Sequence, residues 1–235
     1  MKLLQTPFKT AKRTARILIG RDVYFRKQYD CSVVYLGNAG TSWPVCPEAL
    51  LDQPLVYSFG VGEDVSFDLE LIRRFHATIH AFDPTPRSVA WVASQQLPAN
   101  FHFHPCGIAG YDGTCSFLPP VNPAHVSHTM VPRASTGPSC ELPVKRIQTF
   151  LSELRHARID LLKMDIEGAE YAVIEDLIAS GILVKQLLVE FHHRWKQIGP
   201  SRTKQAIRNL NAAGYRIFAV SPSGEEYGFV NFRAR

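Results

Sequence analysis

Tyr57-Ser-Phe-Gly-Val-Gly-Glu-Asp-Val-Ser-Phe-Asp68, followed by His80-Ala-Phe-Asp-Pro-Thr-Pro86, decides the fold. Leu55 to Phe59 are apolar and suit a buried parallel strand, and they run into Gly60 and Gly62, where a backbone can bend tightly. Phe67, Leu71, Ile72 and Phe75 then recur at helical spacing, with Asp64 or Ser66 as the cap. A second apolar strand, Thr78 to Phe82, delivers Asp83 to the carboxyl edge of the sheet.

A carboxylate at that edge can take both ribose hydroxyls of a nucleotide, while the glycines let a cofactor approach the backbone. Phe59, Gly60, Val61, Gly62, Glu63, Asp83 and Pro84 are therefore the candidate cofactor contacts. The dinucleotide fingerprint G-x-G-x-x-G needs a third glycine at position 65, where this chain has Val65, and that weakens a nicotinamide reading. The same geometry serves S-adenosylmethionine, which has no pyrophosphate to lay against a helix amino end.

At 235 residues, 46% hydrophobic and 20% charged, the chain suits one globular domain, expected over 31–235 behind a basic segment at 1–30. No apolar run reaches the length of a bilayer span and no secretory signal opens the chain, so a cytoplasmic address is expected. The five cysteines are odd in number and form no C-x-x-C pair, which fits reduced thiols. His102 and His104 share a strand face, expected to be a polar face and not a zinc site. Residues 1–27 hold eight Lys and Arg against one acid, Asp22, so the formal net charge of +5 is concentrated there. Phe8, Ala11, Ala15 and Leu18 or Ile19 recur at near-helical spacing, giving either a solvated, partly frayed helix or a contact with a membrane surface or an acidic glycan. No motif points to nucleic acid.

From Leu55 onward strands and helices alternate, the pattern of a mostly parallel doubly wound sheet. Residues 31–54, with Trp43, read as an irregular cover. Helices are expected at 89–94, 149–156, from Ile166 to Gly181 and at 201–213, and further strands at 101–105, 159–164, 186–191, 215–220 and 227–232. The last two make an antiparallel carboxy-terminal hairpin. Gly107, at the exit of the third strand, is a candidate neighbour of an adenine ring. Residues 111–140 carry five prolines among small polar residues and read as a lid on the acceptor side.

Two further motifs carry chemistry. Lys163-Met-Asp-Ile-Glu-Gly-Ala-Glu170 lies where the fourth strand meets its helix, at the active edge of an open α/β sheet. Val189-Glu-Phe-His-His193 ends the fifth strand, where alternation puts Glu190 and His192 on one face and leaves only one histidine of the pair facing the site. Asp165, Glu190 and His192 are the candidate catalytic residues. His192, with an ordinary pKa of about 6.5, is the natural general base. A rival arrangement has the three hold a divalent ion such as Mg²⁺.

Taken together, Gly60-x-Gly-Glu-Asp, Phe82-Asp-Pro-Thr-Pro86, Lys163-x-Asp-x-Glu-Gly-Ala-Glu170 and Glu190-Phe-His192 resemble the FkbM family of S-adenosylmethionine-dependent methyltransferases over residues 55–232. The resemblance implies a Rossmann-like class I methyltransferase fold and O-methylation of a hydroxyl on a sugar, glycan or secondary metabolite. It also implies that Gly60, Gly62 and Asp83 hold the cofactor, with Asp165 beside its methionine portion or the acceptor. Many members have an acid where this chain has Ser58, and Glu63 or Asp64 are the expected substitutes. The alternatives are an NAD(P)-dependent reductase and a non-catalytic cofactor- or glycan-binding module.

Overall fold

The computed structural model describes residues 13–39, 41–118 and 139–234. Its strands are β1 (Val34–Leu36), β2 (Trp43–Val45), β3 (Leu55–Phe59), β4 (Thr78–Phe82), β5 (Phe101–His104), β6 (Gly107–Ile108), β7 (Gly113–Phe117), β8 (Cys140–Lys145), β9 (Ile159–Met164), β10 (Val184–Glu190), β11 (Tyr215–Val220) and β12 (Glu226–Asn231). The helices that cover them are α1 (Ser66–Phe75), α2 (Pro86–Ala93), α3 (Ile147–Leu154), α4 (Glu170–Ala179) and α5 (Gly199–Ala212). Residues 13–18 are also helical.

Seven strands make the central sheet in the order β11-β12-β10-β9-β3-β4-β5. All neighbours from β10 to β5 are parallel, and β12 alone among these pairs antiparallel with both β10 and β11. The order reverses between β9 and β4, on either side of β3, and at such a switch point the loops leaving adjacent strands part to open a crevice. Both faces of β3 and β9 are buried because helices cover the sheet on each side, which is why their sequences are almost continuously apolar.

The departures from the expected elements have local causes. Helix α2 starts at Pro86, earlier than expected, because proline is suited to the first helical position, where no N–H is needed. Helix α4 starts at Glu170, not Ile166, because Glu167 and Gly168 turn through positive φ (53° and 99°). The cover at 31–54 contains the antiparallel ribbon β1-β2. Residues 113–117 of the expected lid are strand β7, which joins β8 and β6 in a separate small sheet, and residues 119–138 lie outside those described. Of the basic segment, residues 1–12 are likewise outside. Asp22 and Val23 are buried, and Arg13 donates to the carbonyls of Val23 and Ser221. Among the described residues no helix is long and apolar enough to cross a membrane.

The shared strand face of His102 and His104 belongs to a ring cluster. His80 Nδ1 lies 2.9 Å from His104 Nε2, and the His80 ring centroid is 4.9 Å from that of His102 and 4.7 Å from that of His156. Tyr57 Oη lies 2.7 Å from His156 Nδ1. Burial first, and then the neighbouring imidazoles, push the His80 pKa down to about 3. A histidine depressed in the folded state leaves the unfolded chain binding more protons, so this contribution to stability is present above about pH 6.5 and is lost as pH falls towards 3. Measured by thermal unfolding against His80→Gln, the native chain should lose about 2 kcal/mol between pH 7 and pH 5, roughly 4–8 °C in Tm. Parallel pH profiles for the two proteins would remove the effect.

Candidate functional site

The glycine loop after β3 fixes the site. Gly60 N–H donates to Phe82 O at 3.1 Å, and Asp165 N–H donates to Phe59 O at 3.2 Å, so the ends of β4, β3 and β9 are tied together. Gly60 has φ +82°, and a Cβ on it would lie 1.8 Å from the carbonyl oxygen of Asp165. No other residue type fits there. Gly62, at φ +58°, turns its N–H to Asp83 Oδ2 at 3.0 Å. Thr85 donates its N–H and its hydroxyl to Asp83 Oδ1 at 2.9 and 2.6 Å, which fixes the carboxylate at the strand end.

These elements enclose a cavity of about 230 Å³. All nine cofactor contacts selected from the sequence, Phe59 to Glu63 and then Asp83, Pro84, Gly107 and Asp165, line it. A Cβ on Gly107 would touch Pro84, Val144 and Phe117, so the wall at that end is apolar and close. Six carboxylates line the cavity, Glu63, Asp64, Asp68, Asp83, Asp165 and Glu167, against one lysine, Lys163. Lys163 is buried, donates to Gly60 O at 3.2 Å and sits 5.1 Å above the Trp43 ring, so Trp43 is both core and cavity wall.

Glu190 and His192 stand behind Asp165. One donor atom from each of the three lies within 4.8 Å of the others. His192 Nδ1 meets Glu170 Oε1 at 2.9 Å, and Nε2 lies 3.4 Å from Glu167 Oε2. Glu170 is fully buried and is oriented by the N–H groups of Ile166 and Gly168. Burial opposes the charge on His192, but the carboxylates of Glu170, Glu167 and Glu190 outweigh it and raise its pKa to about 10. The imidazole with an ordinary pKa that the sequence suggested is therefore an imidazolium at neutral pH, with both ring nitrogens facing acids. Burial and the Asp165 charge raise Glu190 to about 9, and burial also raises Asp165, whose carboxyl group lies within 4.8 Å of that of Glu190. His193 points the other way, to Asp22 at 2.8 Å.

A model of the methyltransferase FkbM domain matches residues 48–217, and so spans the sheet from before β3 to β11. The chain belongs to the FkbM methyltransferase family. Among proteins similar to this FkbM member, the probable methyltransferase-like protein 24 of Homo sapiens is 29% identical over 174 residues and that of Rattus norvegicus 28%, each covering 69% of this chain. The chain spans 41% of the human protein's length and 42% of the rat protein's. Among solved structures, a methyltransferase FkbM from Methylobacillus flagellatus is similar with a TM-score of 0.47 and 12% identity, covering 76% of this chain and 44% of its own. The fibrillarin pre-rRNA processing protein of Methanococcus jannaschii has a TM-score of 0.46 and 12% identity, covering 88% and 85%.

Several site residues were not selected from the sequence. Asp68 reads there as an ordinary helix position, and Lys163 as part of an acidic motif. Period-two alternation along β9 and β3 was the available signal, since it puts Lys163 beside Ser58 on the face that α1 covers. In Glu170→Gln the His192 pKa should fall by at least about one unit, read from the pH titration of its ring resonances; an unchanged value would break the link between the two side chains.

Proposed function

We propose that this FkbM member is an S-adenosylmethionine-dependent O-methyltransferase acting on a hydroxyl of a sugar, glycan or secondary metabolite. The observation that carries the cofactor assignment is the charge of the cavity. Acidic groups outnumber the one lysine of the lining even with Glu63 paired to Arg87, which favours a ligand with net positive charge over a pyrophosphate and weighs against the nicotinamide alternative. The parts of the cavity also fit the cofactor: a fixed carboxylate for ribose hydroxyls at Asp83, an apolar wall at Gly107 and Phe117 for a purine, and a glycine loop that admits the chain between them. When bound, S-adenosylmethionine supplies a methyl group on a positively charged sulfur.

The chain's own residues align the acceptor, exclude water and remove a proton. Asp165 lines the cavity and stands beside the half-buried Glu190, and the raised pKa of each carboxyl group favours one proton held on Glu190, which leaves an Asp165 oxygen to accept the proton of the acceptor hydroxyl. His192, held as a cation by Glu167 and Glu170, offsets the charge of that carboxylate cluster. Asp165→Asn should lower kcat by about 10²–10⁴, a larger factor than its loss in cofactor affinity, read from turnover and from titration of the cofactor.

A second reading has a divalent cation on Asp165, Glu190 and His192. It is favoured by the ligand spacing within 4.8 Å and by Glu170 behind Nδ1, the carboxylate–histidine pairing common at metal sites. Such an ion would acidify the acceptor hydroxyl. Turnover that survives exhaustive chelation supports the metal-free arrangement, and turnover lost to chelation and restored by Mg²⁺ or Mn²⁺ supports the cation.

The cofactor assignment is tested by calorimetric titration of S-adenosylhomocysteine. Binding should weaken by about tenfold or more in Asp83→Ala. No binding to the native chain would overturn the assignment.

A further inference from the structure

Asp68 is an acid to which the functions above give no contact of its own. It lies on the first turn of α1, is 2% exposed and lines the cavity, and its Oδ1 makes no hydrogen bond. Ser58 Oγ on β3 faces the carboxylate, yet it too closes no hydrogen bond of ordinary geometry. A buried carboxylate oxygen without a donor is costly in the free protein, and a cationic donor arriving with a ligand removes that cost.

The neighbouring acids are already engaged. Glu63, at the cavity, pairs with Arg87 at 2.8 Å. Asp64 accepts the Ser66 N–H at 2.8 Å and the Thr41 hydroxyl at 2.8 Å, although the N-cap of α1 is Val65, with no side-chain cap, and not the Asp64 or Ser66 expected from the sequence. The substitutes expected from the sequence for the missing strand acid at Ser58 are thus held elsewhere, while Asp68 reaches the same place from the helix.

Its position identifies the ligand group. Asp83 leaves β4 on one side of the glycine loop, and Lys163 lies on β9 on the other, with β3 between them. Asp68 shares the Lys163 side, and burial lifts its pKa to about 6 while the Lys163 charge opposes that rise. With a nucleoside held at Asp83, the far end of the cofactor lies towards this pair of opposite charges. The chemical group that needs one anion and one cation side by side is an α-amino acid. Lys163 is already within hydrogen-bond distance of Gly60 O, so its ammonium is fixed at the cavity wall and does not have to be ordered on binding.

We propose that Asp68 is the residue that recognises the ammonium of the cofactor's amino-acid end, with Lys163 beside it for the carboxylate. This rests on the cofactor assignment above. It makes Asp68 a specificity-determining residue that distinguishes the intact cofactor from nucleosides lacking the amino group.

The test uses the full chain and calorimetric titration with two ligands, S-adenosylhomocysteine and its analogue in which the amino group is replaced by hydrogen. The native chain should bind the first at least about tenfold more tightly, and in Asp68→Asn that ratio should fall below about threefold. Gly62 and Asp83 are untouched by this substitution, so affinity for the deaminated analogue should be unchanged in it. A preference that persists in Asp68→Asn overturns the proposal, as does a native chain that does not discriminate, and the latter arm decides even where a variant fails to fold. S-adenosylhomocysteine failing to bind the native chain is a different outcome, which overturns the cofactor assignment itself.

Discussion

The close approach of two backbones at Gly60 and Asp165 is the constraint on which the site depends. With the position of a Cβ on Gly60 only 1.8 Å from a carbonyl oxygen, the β3 and β9 loops meet without a side chain between them. That contact holds Asp165 against the glycine loop, aims Lys163 at Gly60 O, and ties both to Asp83 through the Gly62 N–H. The cavity is thus defined by main-chain contacts at the switch point of the sheet, and its side chains are mounted on a frame that leaves them little freedom.

Charge is the second organising quantity. Carboxylates crowd the carboxyl ends of β3, β4, β9 and β10, and the chain manages them in three ways. Some are capped by backbone donors, as Asp83 and Glu170 are. Some meet cations, as Glu63 meets Arg87 and Glu170 meets His192. Asp165 and Glu190 stand close together with the pKa of each raised, which favours a proton on the pair. Asp68 feels the Lys163 charge but leaves its buried Oδ1 without a hydrogen-bond partner, which is why it draws attention as a ligand group. The same crowding acts on His192: the acids on both sides of the imidazole raise its pKa to about 10, which favours the cation over the free base.

Much of the fold was legible in the sequence because its signals are local. Two apolar strands with a glycine turn, a helical stripe and a terminal acid specify the β3-α1-β4 unit, and the position of Asp83 follows from strand length alone. The elements that escaped depend on distant partners. Strand β7 is hydrophilic on its exposed face and exists because β8 pairs with it, and the β1-β2 ribbon is three residues on each side. In the site, residues carried on strand ends were legible, whereas Asp68 was not. Helical spacing marks Phe67 and Leu71 as inward-facing, but it does not say that the first turn of α1 is close enough to β3 for Asp68 to share its buried face. The pKa of His192 was equally hidden, because Glu170 follows β9 by the loop 165–169 and meets a histidine just past the end of the neighbouring strand β10.

The account stands or falls on how the cavity is filled. A crystal structure of the chain with S-adenosylhomocysteine tests it most directly. The expected result is the ribose on Asp83, the purine against Gly107 and Phe117, and the amino-acid end between Asp68 and Lys163. A nucleoside bound elsewhere, or bound in this cavity in the opposite direction, would contradict it.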